Sequence, residues 1–583
     1  MTTYRVWAPD AQRVDVDIRG SRHPMSRSRP DGWWEAVVDG AGVDADYAFR
    51  LDGGDPRPDP RSLRQPLGVH AASRGYDHST FAWHDGEWRG RPLAGSVLYE
   101  LHVGTFTPGG TFDAAIERLD HLVDLGVDVV ELLPVAAFDG EHGWGYDGVA
   151  LFAVHEPYGG PDGLKRLVAA CHQRGLAVVL DVVYNHLGPS GNYLGELGPY
   201  FTDTYTTPWG PAVNLDAAGS DEVRRFIIDN ALMWLRDFHV DGLRLDAVHA
   251  LLDRRAVHLL EQLAAEVQSL AAALGRPLFL VAESDLNDPR VITDRAAGGL
   301  GIDGQWTDDV HHALHATFTG ERQGYYADFG SLATLAHALQ RVFVHADTWS
   351  TFRGRHHGRP VDPAVTSGWR FVTYLQNHDQ VGNRAVGDRL SATLSPGLLK
   401  VASALLFCSA YTPMLFMGEE WGARTPWMFF TSFPDQRLAE AVRRGRRAEF
   451  ASHGWDAEQV PDPQDPATFE RSRLDWAELD RAPHRELLEW HRRLIALRRA
   501  RVELTDPRLD RVRCSFDEDR RWLVLQRGTV AVVCNLSGER QAVPVAGVPA
   551  EVLLASADPA LGPTGEIELA EESVVIVTIR AAG

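Results

Sequence analysis

A chain of 583 residues is too long for one domain and implies three or four. Its formal net charge of −22 excludes nucleic acid and anionic membranes as partners, because both need a basic surface. The hydrophobic fraction of 44% is ordinary for a globular enzyme, and the charge fits a protein that acts on a neutral ligand.

Met1 to Asp10 has neither a basic start nor an apolar core, so no secretory segment is expected. The longest apolar run, Val401 to Met417, contains Pro413 and reads as a buried helix running into a strand. The four cysteines, 171, 408, 514 and 534, lack metal-ligand spacing and read as buried free thiols. A cytoplasmic location is the expectation.

Residues 1–90 read as a small β-sandwich. Tyr4–Pro9, Val14–Ile18 and Trp34–Val38 alternate with period two, and Gly and Asp-Gly turns separate them. Trp7, Trp33 and Trp34 either fill its core or stack on sugar. Leu51 to Ser79, rich in Pro, Gly, Asp and Arg, reads as a linker. Residues 91–500 alternate strands with helices. Eight strands are expected at Val97–Thr105, Val127–Pro134, Ala177–Tyr184, Gly242–Asp246, Leu278–Glu283, Ile302–Trp306, Phe371–His378 and Met414–Met417. Thr111 opens a helix with Ile116, Leu119, Leu122 and Val123 on its apolar face, and another helix runs from Asp221 to Phe238. Leu187 to Asn214 is a long loop with Tyr193, Tyr200, Phe201 and Trp209, suited to a cleft wall. Residues 501–583 return to short strands and form a C-terminal β-sandwich. The pairs His311-His312 and His356-His357 cannot both point into one site from a regular element, and read as surface or cleft residues.

Four apolar strands end in residues that titrate or hydrogen-bond. They are Val179–His186, Asp241–His249, Phe279–Ser284 and Thr373–Asp379. Within the second, Arg244 and Asp246 share one face of a strand. That is either a structural ion pair or a carboxylate held ionised at the mouth of a barrel. Chemistry at the C-terminal ends of several strands is the signature of a (β/α)8 TIM barrel. The fold class is therefore α/β, a TIM barrel flanked by two β-sandwiches.

In this order the four stretches resemble the signature regions of the α-amylase family of glycosidases. The resemblance implies that Asp246 is the nucleophile, Glu283 the acid/base and Asp379 the stabiliser of the transition state. It implies Asp181 and Arg244 as supports, and His186 and His378 as sugar ligands. Tyr146, in Gly143-Trp144-Gly145-Tyr146-Asp147, matches the family's stacking tyrosine. The chemistry agrees. Arg244 favours the ionised form of Asp246, and Glu283 follows an apolar run, where Asp246 and Asp379 closing around it would raise its pKa. The N-terminal module is similar to that of branching and debranching relatives.

Further stretches resemble the trehalohydrolase branch of that family. They include Glu131–Val135, Val281–Asn287, Gln305–His312, Leu375–Asn383 and Met417–Gly422. This implies hydrolysis of the α-1,4 bond beside the terminal trehalose of a malto-oligosyltrehalose, with no cofactor, because water is the second substrate; no metal ligands are assigned from the sequence. The pathway link is to a synthase that makes such ends. Trehalose specificity is expected around Trp306, Asp308 and the Asn377–Asn383 loop, with His249 as a further substrate contact. A branching transferase, a general α-glucan hydrolase and a non-catalytic glucan-binding protein remain alternatives.

Overall fold

The computed structural model describes residues 2–28, 31–452, 460–563 and 565–580. Its centre is a closed barrel of eight parallel strands. These are β1 (Leu98–Leu101), β2 (Val129–Leu132), β3 (Ala177–Val182), β4 (Gly242–Leu245), β5 (Phe279–Ala282), β6 (Gly304–Trp306), β7 (Phe371–Tyr374) and β8 (Thr412–Phe416). Each pairs with its neighbours in sequence, and β8 closes on β1. All eight expected strands are present.

Every residue of β1, β3, β4 and β5 is buried, as strands covered on both faces require. Alternation sends the two sets of side chains to different cores. Leu98, Val129, Val179, Val281, Val372 and Met414 pack together inside the barrel. Leu243 and Leu245 join the larger core that contains the helices. Arg244, between them, is fully buried on the inner side.

Several strands end earlier than expected. After Leu101 the chain turns into a short helix, Val103–Phe106. After Tyr374 it reaches Asn377, whose side chain accepts from the Gln380 N–H and caps a helix over His378–Gly382. That cap takes His378 out of the strand. The helix opened by Thr111 is two pieces, Phe112–Ile116 and Leu119–Leu125. Leu119 and Leu122 are buried, but Val123 is 41% exposed. The second expected helix spans Ser220–Asp237. Helix Pro396–Cys408 runs into β8 through the apolar stretch Val401–Met417.

The N-terminal residues form a three-stranded and a four-stranded sheet. Trp7 and Trp34 fill its core, and Trp33 is half-buried. The stretch 51–79 is no loose linker. Ser62, Gln65, Val69 and Ser73 are buried, and Arg57, Arg61 and Arg64 pair with Glu196, Asp229 and Glu156. The C-terminal sheets have five and three strands. All four cysteines are free. Among the described residues no helix is long and apolar enough to cross a membrane.

Candidate active site

The polar side chains predicted from the strand ends converge on Arg244. Asp181 of β3 lies beside Arg244 of β4 in the parallel register, and its oxygens accept from Arg244 Nη1 at 2.8 and 3.0 Å. The same nitrogen donates to Asp246 Oδ1 at 2.7 Å. Arg244 Nη2 lies 3.8 Å from Glu283 Oε2. One buried guanidinium therefore serves three carboxylates from three adjacent strands. Burial opposes its charge, but Asp181, Asp246 and Glu283 hold it firmly protonated.

Asp246 is positioned from two sides. Asn185 Nδ2 donates to its Oδ2 at 2.7 Å, and Arg244 takes the other oxygen. Directly after it, Ala247 adopts φ +39°, a left-handed conformation that non-glycine residues rarely hold. That turn delivers the Ala247 N–H to Glu283 Oε2 at 2.5 Å. Glu283 keeps 20% of its side chain accessible. Burial pushes its carboxyl up to about 8, with Asp246, Asp308 and Asp379 adding to the rise and Arg244 opposing it. Burial leads, so the expected effect of neighbouring carboxylates is the smaller part. Asp181 is raised by burial to about 6.

Asp379 sits in the first turn of the helix capped by Asn377, with 45% of its side chain exposed. His378 beside it is buried. Its Nδ1 lies 2.6 Å from Glu100 Oε1 and its Nε2 2.8 Å from Tyr146 Oη. Burial alone would lower its pKa, yet Asp379 and Glu100 hold the imidazole up at about 9. Tyr146 also donates to Asp181 Oδ2 at 2.6 Å, which joins the histidine to the Arg244 cluster. Gly145 makes that approach possible: at its φ of +105° a Cβ would stand 2.2 Å from the Pro134 carbonyl oxygen. His186 donates through Nε2 to the Tyr146 carbonyl and lies under Trp209, ring centroids 4.7 Å apart. Trp209 is exposed on the hairpin Phe201–Thr207/Gly210–Val213, so the stretch 187–214 is folded; its Tyr200 is buried against Trp7 of the N-terminal module.

The remaining predicted residues divide. His249 lies on the turn Val248–Ala250 and accepts the Asp285 N–H at 3.3 Å. Asp308 accepts from Tyr374 Oη at 2.5 Å, and burial raises it to about 6. Asn383 is exposed and donates to Asp379 Oδ1 at 3.2 Å. Trp306 is 3% exposed and belongs to the interior barrel core, with the Arg244 guanidinium 4.3 Å from its ring centroid. It packs against the arginine inside the barrel, with the His378 ring centroid 6.0 Å away. His311 and His312 are buried among Tyr325, Tyr326 and Tyr374, not at the surface, because all the residues from Asp309 to Phe318 of their helix are enclosed. His357 is buried and His356 exposed.

Three contributors escaped the sequence reading. Glu100 was visible as an acid inside an apolar strand, which rarely occurs without a partner. Asn185 stood in a quoted motif without a role. Nothing near Tyr374 in sequence announced its bond to Asp308. Among the described residues, no group of three or more His, Cys, Asp or Glu side chains is arranged to hold a metal ion.

A TIM barrel with an arginine-braced pair of carboxylates at its strand ends defines an α-amylase-type glycoside hydrolase. Residues 60–204 match the alpha amylase catalytic domain, 1–65 match carbohydrate-binding module 48 (isoamylase N-terminal domain), and 507–576 match a domain of unknown function, DUF3459. A malto-oligosyltrehalose trehalohydrolase of Arthrobacter ramosus is 62% identical over 85% of this chain and 87% of its own. Another, from Mycobacterium tuberculosis, is 54% identical over 100% of both chains. A solved structure from Salmonella typhimurium, provisionally described as an alpha amylase, has a TM-score of 0.90 and 37% identity, covering 99% of this chain and 97% of that one. The chain belongs to the malto-oligosyltrehalose trehalohydrolase family.

Proposed function

We propose that the protein is a retaining glycoside hydrolase that cleaves the α-1,4 bond between a malto-oligosaccharide and its terminal trehalose. The observation that carries this reading is the division of labour around Arg244. Asp246 makes a direct ion pair at 2.7 Å, whereas Glu283 stands off at 3.8 Å and is raised to about 8. Asp246, ion-paired to Arg244 and hydrogen-bonded by Asn185, is the nucleophile, and Glu283, which keeps its proton, is the acid.

Glu283 gives its proton to the glycosidic oxygen as the C1–O bond breaks, and trehalose leaves. Asp246 attacks C1 and forms a glycosyl ester. Glu283, now ionised, takes a proton from water, and the resulting hydroxide displaces Asp246 from C1. Asp379 faces the developing positive charge of the sugar ring. The cationic His378 and Tyr146 orient that ring, with His186, His249, Asp308 and Asn383 as further hydroxyl contacts. Asp181 holds Arg244. In this reading residues 91–500 carry the chemistry, and 1–90 and 501–583 flank it. The substrate must come from a reaction that converts a reducing-end α-1,4 link into an α,α-1,1 link, the chemistry of a malto-oligosyltrehalose synthase. Four unpaired cysteines suit the cytoplasm.

The test is product analysis on maltotriosyltrehalose and maltopentaose at equal concentration. Rapid trehalose release from the first and slow attack on the second is expected. Equal rates would reduce the enzyme to a general α-glucan hydrolase, and longer or branched products would make it a transferase.

A further inference from the structure

The helix Gln436–Ser452 reaches the mouth of the barrel through one side chain. It carries Arg443, Arg444, Arg446 and Arg447. Arg443 lies 2.8 Å from Asp462 and 3.4 Å from Glu440, and Arg444 lies 3.8 Å from Glu440. Arg446 turns toward the cleft and donates to two neutral oxygens there. Its Nη2 reaches the Gly382 carbonyl at 2.5 Å and its Nη1 reaches Asn383 Oδ1 at 3.3 Å. The guanidinium lies over the half-buried Phe429, 5.0 Å from the ring centroid.

Both oxygens belong to the segment that carries Asp379. Gly382 is the last residue of the helix His378–Gly382, and the terminal carbonyls of a helix have no partner within it. A cationic donor satisfies such an end. The same glycine is seated on Trp144: a Cβ there would stand 2.1 Å from the indole. Trp144 in turn meets Phe429 edge-on at 5.2 Å, so the contacts around the helix end close on Arg446.

Asn383 carries the argument to the carboxylate. Its Nδ2 donates to Asp379 Oδ1 at 3.2 Å, and its backbone N–H donates to the Asp379 carbonyl at 2.9 Å. A side-chain amide can present oxygen or nitrogen on a given side. A guanidinium only donates, so Arg446 requires Oδ1 to face it and thereby turns Nδ2 toward Asp379. The opposite flip would aim an amide oxygen at a carboxylate. Asp379 needs such a hold, because 45% of its side chain is exposed and His378 Nε2 stands 3.6 Å from its other oxygen.

We propose that Arg446 is a positioning residue for the reaction: it sets the Asn383 amide and anchors the helix end, and so aims the Asp379 carboxylate at the reacting sugar. This rests on the role given to Asp379 in the proposed function. A carboxylate that stabilises a developing charge does so only from a fixed position, so the loss of its anchor falls on the chemical step.

The experiment measures trehalose release from maltotriosyltrehalose by Arg446→Ala, Asn383→Ala and the double variant, with the exposed Arg447→Ala as control. Arg446→Ala should lower kcat about tenfold, the order of one hydrogen bond to a charged group, and keep KM within about twofold. The double variant should stay within about twofold of Asn383→Ala, because the arginine acts through that amide. Millimolar guanidinium should restore part of the kcat of Arg446→Ala and none of that of Asn383→Ala, with melting temperatures at the parent value throughout. Asn383→Asp keeps an acceptor for Arg446 but loses the donor to Asp379, so it should fall at least as far as Asn383→Ala. An unchanged kcat in Arg446→Ala, a change in KM alone, losses that multiply in the double variant, an equal loss in Arg447→Ala, or full activity in Asn383→Asp would each overturn the inference. Asp379→Asn separates the two readings. If it keeps the parent kcat, the role of Asp379 fails and takes this inference with it; if it loses activity while Arg446→Ala does not, the inference alone fails.

Discussion

Replacing Glu283, the proposed acid, should stabilise this protein, and by more as the pH rises. Glu283 is raised from 4.5 to about 8 in the folded chain, chiefly by burial. Between those values the native state holds a proton that the unfolded state has released. Stability contributed by this group therefore falls as pH rises from about 4.5 to about 8 and is flat beyond. The full displacement corresponds to roughly 5 kcal/mol at 1.36 kcal/mol per unit. The side chain is 20% exposed and water screens part of the effect, which leaves about 2–3 kcal/mol. Glu283→Gln removes the titration and keeps an oxygen for the Ala247 N–H. Melting of parent and variant should nearly coincide at pH 5. At pH 8.5 the variant should melt about 3 °C higher, the shift expected for a cooperative unit of several hundred residues. A gap that is constant with pH, or one that shrinks as pH rises, would refute the protonation argument.

The same variant should lose on the order of 100-fold or more in kcat, the usual contribution of a general acid, in a trehalose-release assay. Asp308→Asn removes a negative charge that raises Glu283. It should move the alkaline limb of kcat/KM down by about 0.7 unit, since a charge several ångströms away in a partly solvated site is worth on the order of 1 kcal/mol. A limb that stays put or moves up would detach Asp308 from the acid. Proton NMR during early turnover should show the α-anomer of the released malto-oligosaccharide first; first appearance of the β-anomer would replace Asp246 as nucleophile with an activated water. Trp306→Ala should cost about 3–5 kcal/mol of stability through the cavity left behind Arg244, read as a lower melting temperature. A trehalose preference that changes with no loss of stability would return Trp306 to the substrate side.

The strand ends were legible because a buried parallel barrel writes itself as apolar runs, and polar residues at their termini stand out against that background. Arg244 and Asp246 had to share a face by period alone, and the chain order of Asp181, Asp246, Glu283 and Asp379 was enough to suggest their convergence. Local rules fared worse where a cap or a neighbour intervened. Asn377 ended β7 early by capping a helix, and Val123 matched the helical period yet faced solvent.

The barrel, its flanking sheets and the carboxylates at its mouth could be read from the chain alone, since each follows from periodicity and burial within a short window. Which partners those groups meet was set by folding. Glu100 reaches His378 across 278 residues, Tyr374 reaches Asp308 across 66, and the Arg244 guanidinium takes the face of Trp306. The protonation of Glu283 depends on how much water the closed barrel leaves around it. Desolvation and long-range pairing are sums over the folded surroundings, and no stretch of chain contains them.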